Sequence, residues 1–109
     1  MDLFAAVALS MLPASRSRVA SVFKEIRHRT FSSVTALLEL VLRGCNVPEA
    51  SWAEAIAIAC SRARDGLAAA GKAEMTPLAW NDPAYPVLLG CVSDPPPVLW
   101  VRGLSLIHI

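Results

Sequence analysis

Few side chains in this 109-residue chain have the type and spacing to do chemistry. Asp82 and Asp94 resemble a carboxylate pair, but each precedes a proline, and turn-initiating or capping hydrogen bonds account for both. His28 has no serine or cysteine at motif spacing, so nucleophile–base pairing finds no support. Cys45, Cys60 and Cys91 form no CxxC pair, and His28 and His108 stand at no useful spacing to them, so no metal site is expected. The cysteines read as small buried thiols in a reducing compartment. The glycines make neither a GxGxxG nor a P-loop, and no nucleotide or other cofactor is expected. The remaining candidates are basic: Arg16, Arg18, Lys24, Arg27 and Arg29. They read either as a phosphate-contacting face or as an ordinary solvated helix surface. They fall on both sides of an apolar stripe, and no aromatic is interleaved to stack bases.

The elements that position these residues are mostly helical. The spacing predicts helices over 2–12, 16–29, 31–43 and 49–70. Asp2 is the expected N-cap of the first and Pro13 its stop. Thr30 or Ser32 is expected to cap the third, with Gly44 at C′. Ser51 and Glu54 have capping-box spacing, and Gly71 is the expected stop of the fourth helix. After Gly71 the pattern changes. Residues 75–80 read as extended, with Pro77 marking an edge, and 81–86 as a turn. Residues 87–91 can make one apolar helical turn, 94–97 must be extended, and 98–101 read as a buried strand. Tyr85 and Trp100 read as packing anchors, and Trp80 as a bridge between the helical and extended parts. Two strands are not a stable sheet alone, so residues 73–103 read as the start of an α/β domain.

The string from Asp82 to Gly103 resembles the entry signature of the DNA-processing protein A (DprA/Smf) family. Its matching positions are Asp82, Pro83, Tyr85, Pro86, Leu89, Asp94, Pro95, Pro96, Pro97, the strand Val98 to Val101, Arg102 and Gly103. The resemblance implies a mainly α fold. A small four-helix domain of the sterile-alpha-motif-like (SAM-like) or helix-hairpin-helix-like kind (1–72) would precede the truncated start of a Rossmann-like domain (73–103). It also implies a factor that binds single-stranded DNA and loads the RecA recombinase during natural transformation, working as a homo-oligomer when full-length and without a catalytic centre. The signature residues then serve as a structural lead-in, and the main DNA site is expected beyond Gly103. Family members often carry a Leu-Pro-Gly-x-Gly hairpin after the first helix, whereas this chain has Leu12-Pro13-Ala14-Ser15-Arg16, without the glycines that bring backbone amides close to phosphate. Residues 104–109, LSLIHI, resemble the translated read-through of a sequencing adapter and are expected to be a non-native tail; the alternative is a genuine strand.

Composition bounds the rest. With 55% apolar and 17% charged residues the chain can bury a small core and does not have a disordered composition. A net charge of +1 predicts neither a polyanion-binding nor a polycation-binding surface. The apolar N-terminus carries Asp2 and no Lys or Arg before its apolar stretch, unlike a signal peptide, and no run approaches membrane-spanning length, so a cytoplasmic protein is expected. Two other readings stay open: a helical protein–protein interaction module with no DNA role, and a fragment of a nucleotide-handling α/β enzyme.

Overall fold

The computed structural model describes residues 2–88 and 96–102. They form a mainly helical structure with a small two-stranded antiparallel sheet. The order is α1 (Leu3–Ser10), α2 (Arg16–Ile26), α3 (Val34–Gly44), a 3-10 turn (Glu49–Ser51), α4 (Trp52–Lys72), β1 (Met75–Ala79) and β2 (Val98–Arg102).

Helix α1 is the centre of the molecule. Asp2 caps it as expected, its Oδ1 accepting the Ala5 amide at 2.7 Å. Ala5 to Leu9 are all buried, and a helix apolar all round must sit inside other elements. It packs against α3, α4 and both strands. The small side chains Ala55, Ala59 and Ala63 repeat every four residues along the buried face of α4. That spacing puts them on one stripe, where α1 can approach closely. Phe23, Leu9, Leu37, Leu38 and Leu42 are the largest fully buried side chains, joining α1, α2 and α3.

Several expected helix ends lie elsewhere. Ser33, not Thr30 or Ser32, caps α3, accepting the Ala36 amide at 3.1 Å. Gly44 is the last residue of α3 rather than its C′ residue, and the left-handed turn falls on Asn46 at φ 59°. Asn tolerates that conformation through local side-chain hydrogen bonding. Gly44 serves packing instead: a Cβ there would stand 2.7 Å from Val22 Cγ2, so its lack of a side chain lets α2 lie against α3. Gly71 lies within α4, and the left-handed residue after that helix is Glu74, φ 58°. The Ser51 side chain caps nothing, because the 3-10 turn supplies the start of α4.

The strands pair antiparallel, with Met75 opposite Arg102, Pro77 opposite Trp100 and Ala79 opposite Val98. β1 lies on α1 and α4, and β2 on α1. Val98 belongs to the same hydrophobic core as the helices, with Trp80 and Trp100 packed against it. The sheet is therefore stabilised by helix contact, which a two-stranded ribbon needs. Among the described residues no helix is long and apolar enough to cross a membrane.

Candidate functional site

The segment after β1 folds into a braced turn. Asp82 does what a carboxylate ahead of a proline was expected to do. Its Oδ1 accepts the Ala84 amide at 2.8 Å, and its carbonyl accepts the Tyr85 amide at 2.9 Å. Tyr85 is buried, and its hydroxyl donates to the Pro96 carbonyl at 2.7 Å. The Trp80 amide donates to the neighbouring Pro97 carbonyl at 2.9 Å. One side-chain hydroxyl and one backbone amide thus join residues 80–86 to residues 96–97. A proline has no N–H but keeps its carbonyl as an acceptor, so Pro96 and Pro97 can take these bonds.

Helix α2 runs beside this brace. Arg16, Ala20, Phe23 and Arg27 follow helical spacing and share one face. The two arginines stand at opposite ends of that face, about 16 Å apart at the rise of an α-helix. Each opens onto a groove. The Arg27 groove, about 380 Å³, is lined by His28, Trp80, Asp82, Pro83, Tyr85 and Pro86 among others. The Arg16 groove, about 280 Å³, is lined by Ser10, Met11, Val19, Pro96, Pro97 and Trp100 among others. Of the five basic candidates, Arg16 and Arg27 line grooves with described residues of the signature segment. Arg18 lies close enough to the Cys45 thiol for its charge to favour the thiolate. Lys24 is exposed, and the Arg29 guanidinium sits over the Phe31 ring at 5.8 Å. The basic residues of α2 therefore make no continuous patch.

Trp80 is the hub of the larger groove. Phe23 meets its ring edge-on at 6.0 Å, and His28 meets it edge-on at 5.1 Å. The Arg27 guanidinium lies over the ring at 5.7 Å, a cation–π contact. Trp80 Nε1 and Arg27 Nε are both buried and have no hydrogen-bond partner among the described residues. Burial pushes the Tyr85 hydroxyl above its ordinary range, and the nearby Arg27 charge partly offsets this. Val87, which lines this groove, and its chain neighbour Leu88 are each 82% exposed.

The sequence placed Trp80 between the helical and extended parts, where it lies. It did not place His28 at the groove, because a lone helical histidine carries no signal of what packs beside it. Likewise, the aromatic partners of Arg27 and Arg29 come from outside the helix and are invisible to a search for aromatics within it. Arg102 is exposed at the end of β2. Leu89, Asp94, Pro95, Gly103, most of the predicted turn over 87–91 and the tail 104–109 lie outside the described residues. Among the described residues, no group of three or more His, Cys, Asp or Glu side chains could hold a metal ion. The arrangement offers donors, a cation and apolar walls, which suit binding. No protein-family model matches this chain, and neither does any curated protein or solved structure compared with it.

Proposed function

We propose that this chain is the helical head and strand threshold of a DNA-processing protein of the DprA/Smf kind. In this reading the parent is a cytoplasmic, non-enzymatic factor that binds single-stranded DNA and hands it to RecA, as a homo-oligomer when full-length. The helices form its SAM-like domain, and β1 and β2 lead into a Rossmann-like domain. One observation carries the reading: the Tyr85 hydroxyl bound to the Pro96 carbonyl at 2.7 Å. The two halves of the signature, Asp-Pro-x-Tyr-Pro and the proline run, are in contact and act as one brace. A brace explains why those residue types recur together without any reactive group among them. Its work is to hold β2 on the helices, so that the backbone leaves Arg102 in a set direction.

The DNA contribution of this chain itself is small in this reading, resting on Arg16 and Arg27 alone. Fluorescence anisotropy with a labelled thymidine oligonucleotide tests this. Binding is expected to be weak and to vanish near physiological salt. The double variant Arg16→Gln/Arg27→Gln should flatten the log–log salt slope by roughly two, about one for each phosphate no longer neutralised. Tight binding that persists at physiological salt, or a slope untouched by the double variant, would overturn the assignment. Sequencing the native reading frame beyond Gly103 tests the parentage. A Gly-Ser-Arg motif opening an α/β domain is expected, and a continuation without one refutes it.

A further inference from the structure

We infer that the outer edge of β2 is a pairing surface for β2 of a second copy of this chain. The two strands run antiparallel and give one sheet in the order β1-β2-β2-β1. The inference rests on the backbone of this chain and not on the DNA-processing reading.

The ladder shows which backbone groups are spare. The Trp80 amide donates to the Pro97 carbonyl at 2.9 Å, so these two residues form a hydrogen-bonded pair. Antiparallel pairs alternate between bonded and non-bonded. In the observed register Leu78 with Leu99 and Thr76 with Val101 are therefore bonded. Ala79 with Val98, Pro77 with Trp100 and Met75 with Arg102 are not. Pro77, which has no N–H, falls on a non-bonded pair, as that phase requires. The N–H and C=O groups of Val98, Trp100 and Arg102 thus point away from β1. Among the described residues no third strand meets them. The partner that complements such an alternating row of donors and acceptors is another extended backbone.

The two edges of the sheet differ, and the difference selects the occupant. The outer edge of β1 carries Pro77 at its middle position, where the missing N–H and the ring obstruct a neighbour. The outer edge of β2 has no proline or glycine from Val98 to Arg102, and its residues favour strands. With one edge blocked and one open, pairing stops at two copies, giving a closed two-fold pair and not a fibre. Reversed, β2 is also complementary to itself. With Trp100 opposite Trp100 of the second copy, Arg102 falls opposite Val98, and Leu99 opposite Val101. The two arginines are then at opposite ends, and the two indoles are neighbours on one face, a favourable cross-strand pair. Residues 98, 100 and 102 meet one another, so every spare N–H and C=O finds a partner. The two-stranded ribbon gains width in the same step.

Sedimentation equilibrium of the full chain reads stoichiometry, and amide hydrogen exchange across a dilution series reads location. A reversible monomer–dimer equilibrium is expected. The amides of Val98, Trp100 and Arg102 should gain protection as concentration rises. Those of Leu99 and Val101, already bonded to β1, should change little. This alternation needs no variant. Arg102→Pro removes an outward N–H at an exposed position without touching the ladder to β1, and should weaken pairing roughly tenfold or more. Arg102→Gln keeps the N–H and should pair as the parent does. Protected Leu78 and Val101 amides in Arg102→Pro check that β1 and β2 still pair. A chain that stays monomeric up to about 1 mM overturns the proposal. So does protection of Val98, Trp100 and Arg102 that is unchanged by dilution, which would put another part of the same chain on this edge. A dimer in which those three amides exchange freely, or one indifferent to Arg102→Pro, or one equally weakened by Arg102→Gln, overturns it too.

Discussion

Replacing Tyr85 with phenylalanine removes one oxygen and leaves the buried ring in place. The bond removed is the 2.7 Å contact from the hydroxyl to the Pro96 carbonyl. A hydrogen bond of this kind contributes about 0.5–1.5 kcal/mol net. The carbonyl left behind adds a further penalty, softened because Pro96 is only half-buried and water can reach it in part. The expected destabilisation is about 1–2 kcal/mol. At this size each kcal/mol shifts Tm by about 4–8 °C, so thermal melting followed by circular dichroism resolves the effect easily. Tyr85→Ala, which also deletes the ring, should cost about 3–5 kcal/mol. Location is a second readout. The Trp80 amide, bonded to the Pro97 carbonyl, should exchange its hydrogen faster in Tyr85→Phe, while amides in α3 exchange as before. The pH dependence supplies a third. Burial raises the pKa of Tyr85, so the fold favours the neutral phenol. The unfolded chain therefore loses that proton first. Stability from this group is complete below about pH 10 and falls as pH rises through the higher folded value. Tyr85→Phe should lose that part of the alkaline decline. A Tyr85→Phe protein as stable as the parent, with unchanged exchange at Trp80, would refute the idea that this bond holds the two signature halves together.

Gly44→Ala should destabilise by about 1–3 kcal/mol, because the added methyl would stand 2.7 Å from Val22 Cγ2. Combining it with Val22→Ala should recover part of that stability in urea denaturation; a more stable Gly44→Ala would mean the helices part freely. Trp52→Phe should cost more than Trp80→Phe. Trp52 Nε1 donates to the Val47 carbonyl at 2.8 Å, whereas Trp80 Nε1 has no acceptor among the described residues. The reverse order in denaturant midpoints would contradict the unmatched indole. Cys45 is buried, which raises its thiol pKa against the opposing effect of Arg18. A disulfide reagent should reach it only through unfolding, at a rate that climbs with denaturant, and rapid modification of the native protein would count against this packing.

Apolar periodicity made the helices legible, because residues three and four apart share a face whatever surrounds them. Asp2 was readable as a cap for the same local reason: its partner is three residues away. The caps around α3 were not. Thr30, Ser32 and Ser33 are all competent, and which one caps depends on where packing stops the helix. Gly44 misled because glycine has two uses. Local grammar predicts the left-handed turn, and only the position of Val22 reveals the close approach. The two strands were legible, but their antiparallel pairing and their seat on α1 and α4 required the third dimension.

The same division holds at the site. Residue types and their order were enough to say that Asp82 would turn the chain and that residues 98–101 would form a strand. Those are consequences of backbone restriction and side-chain chemistry, which act over a few residues. Which arginines stand beside the brace was settled by packing. It placed Arg16 and Arg27 there and turned Arg18 and Arg29 elsewhere. It also set Trp80 and His28 against each other and left two donors without an acceptor among the described residues. Proximity between residues more than fifty positions apart is set by how apolar faces share one core, and no local pattern encodes it.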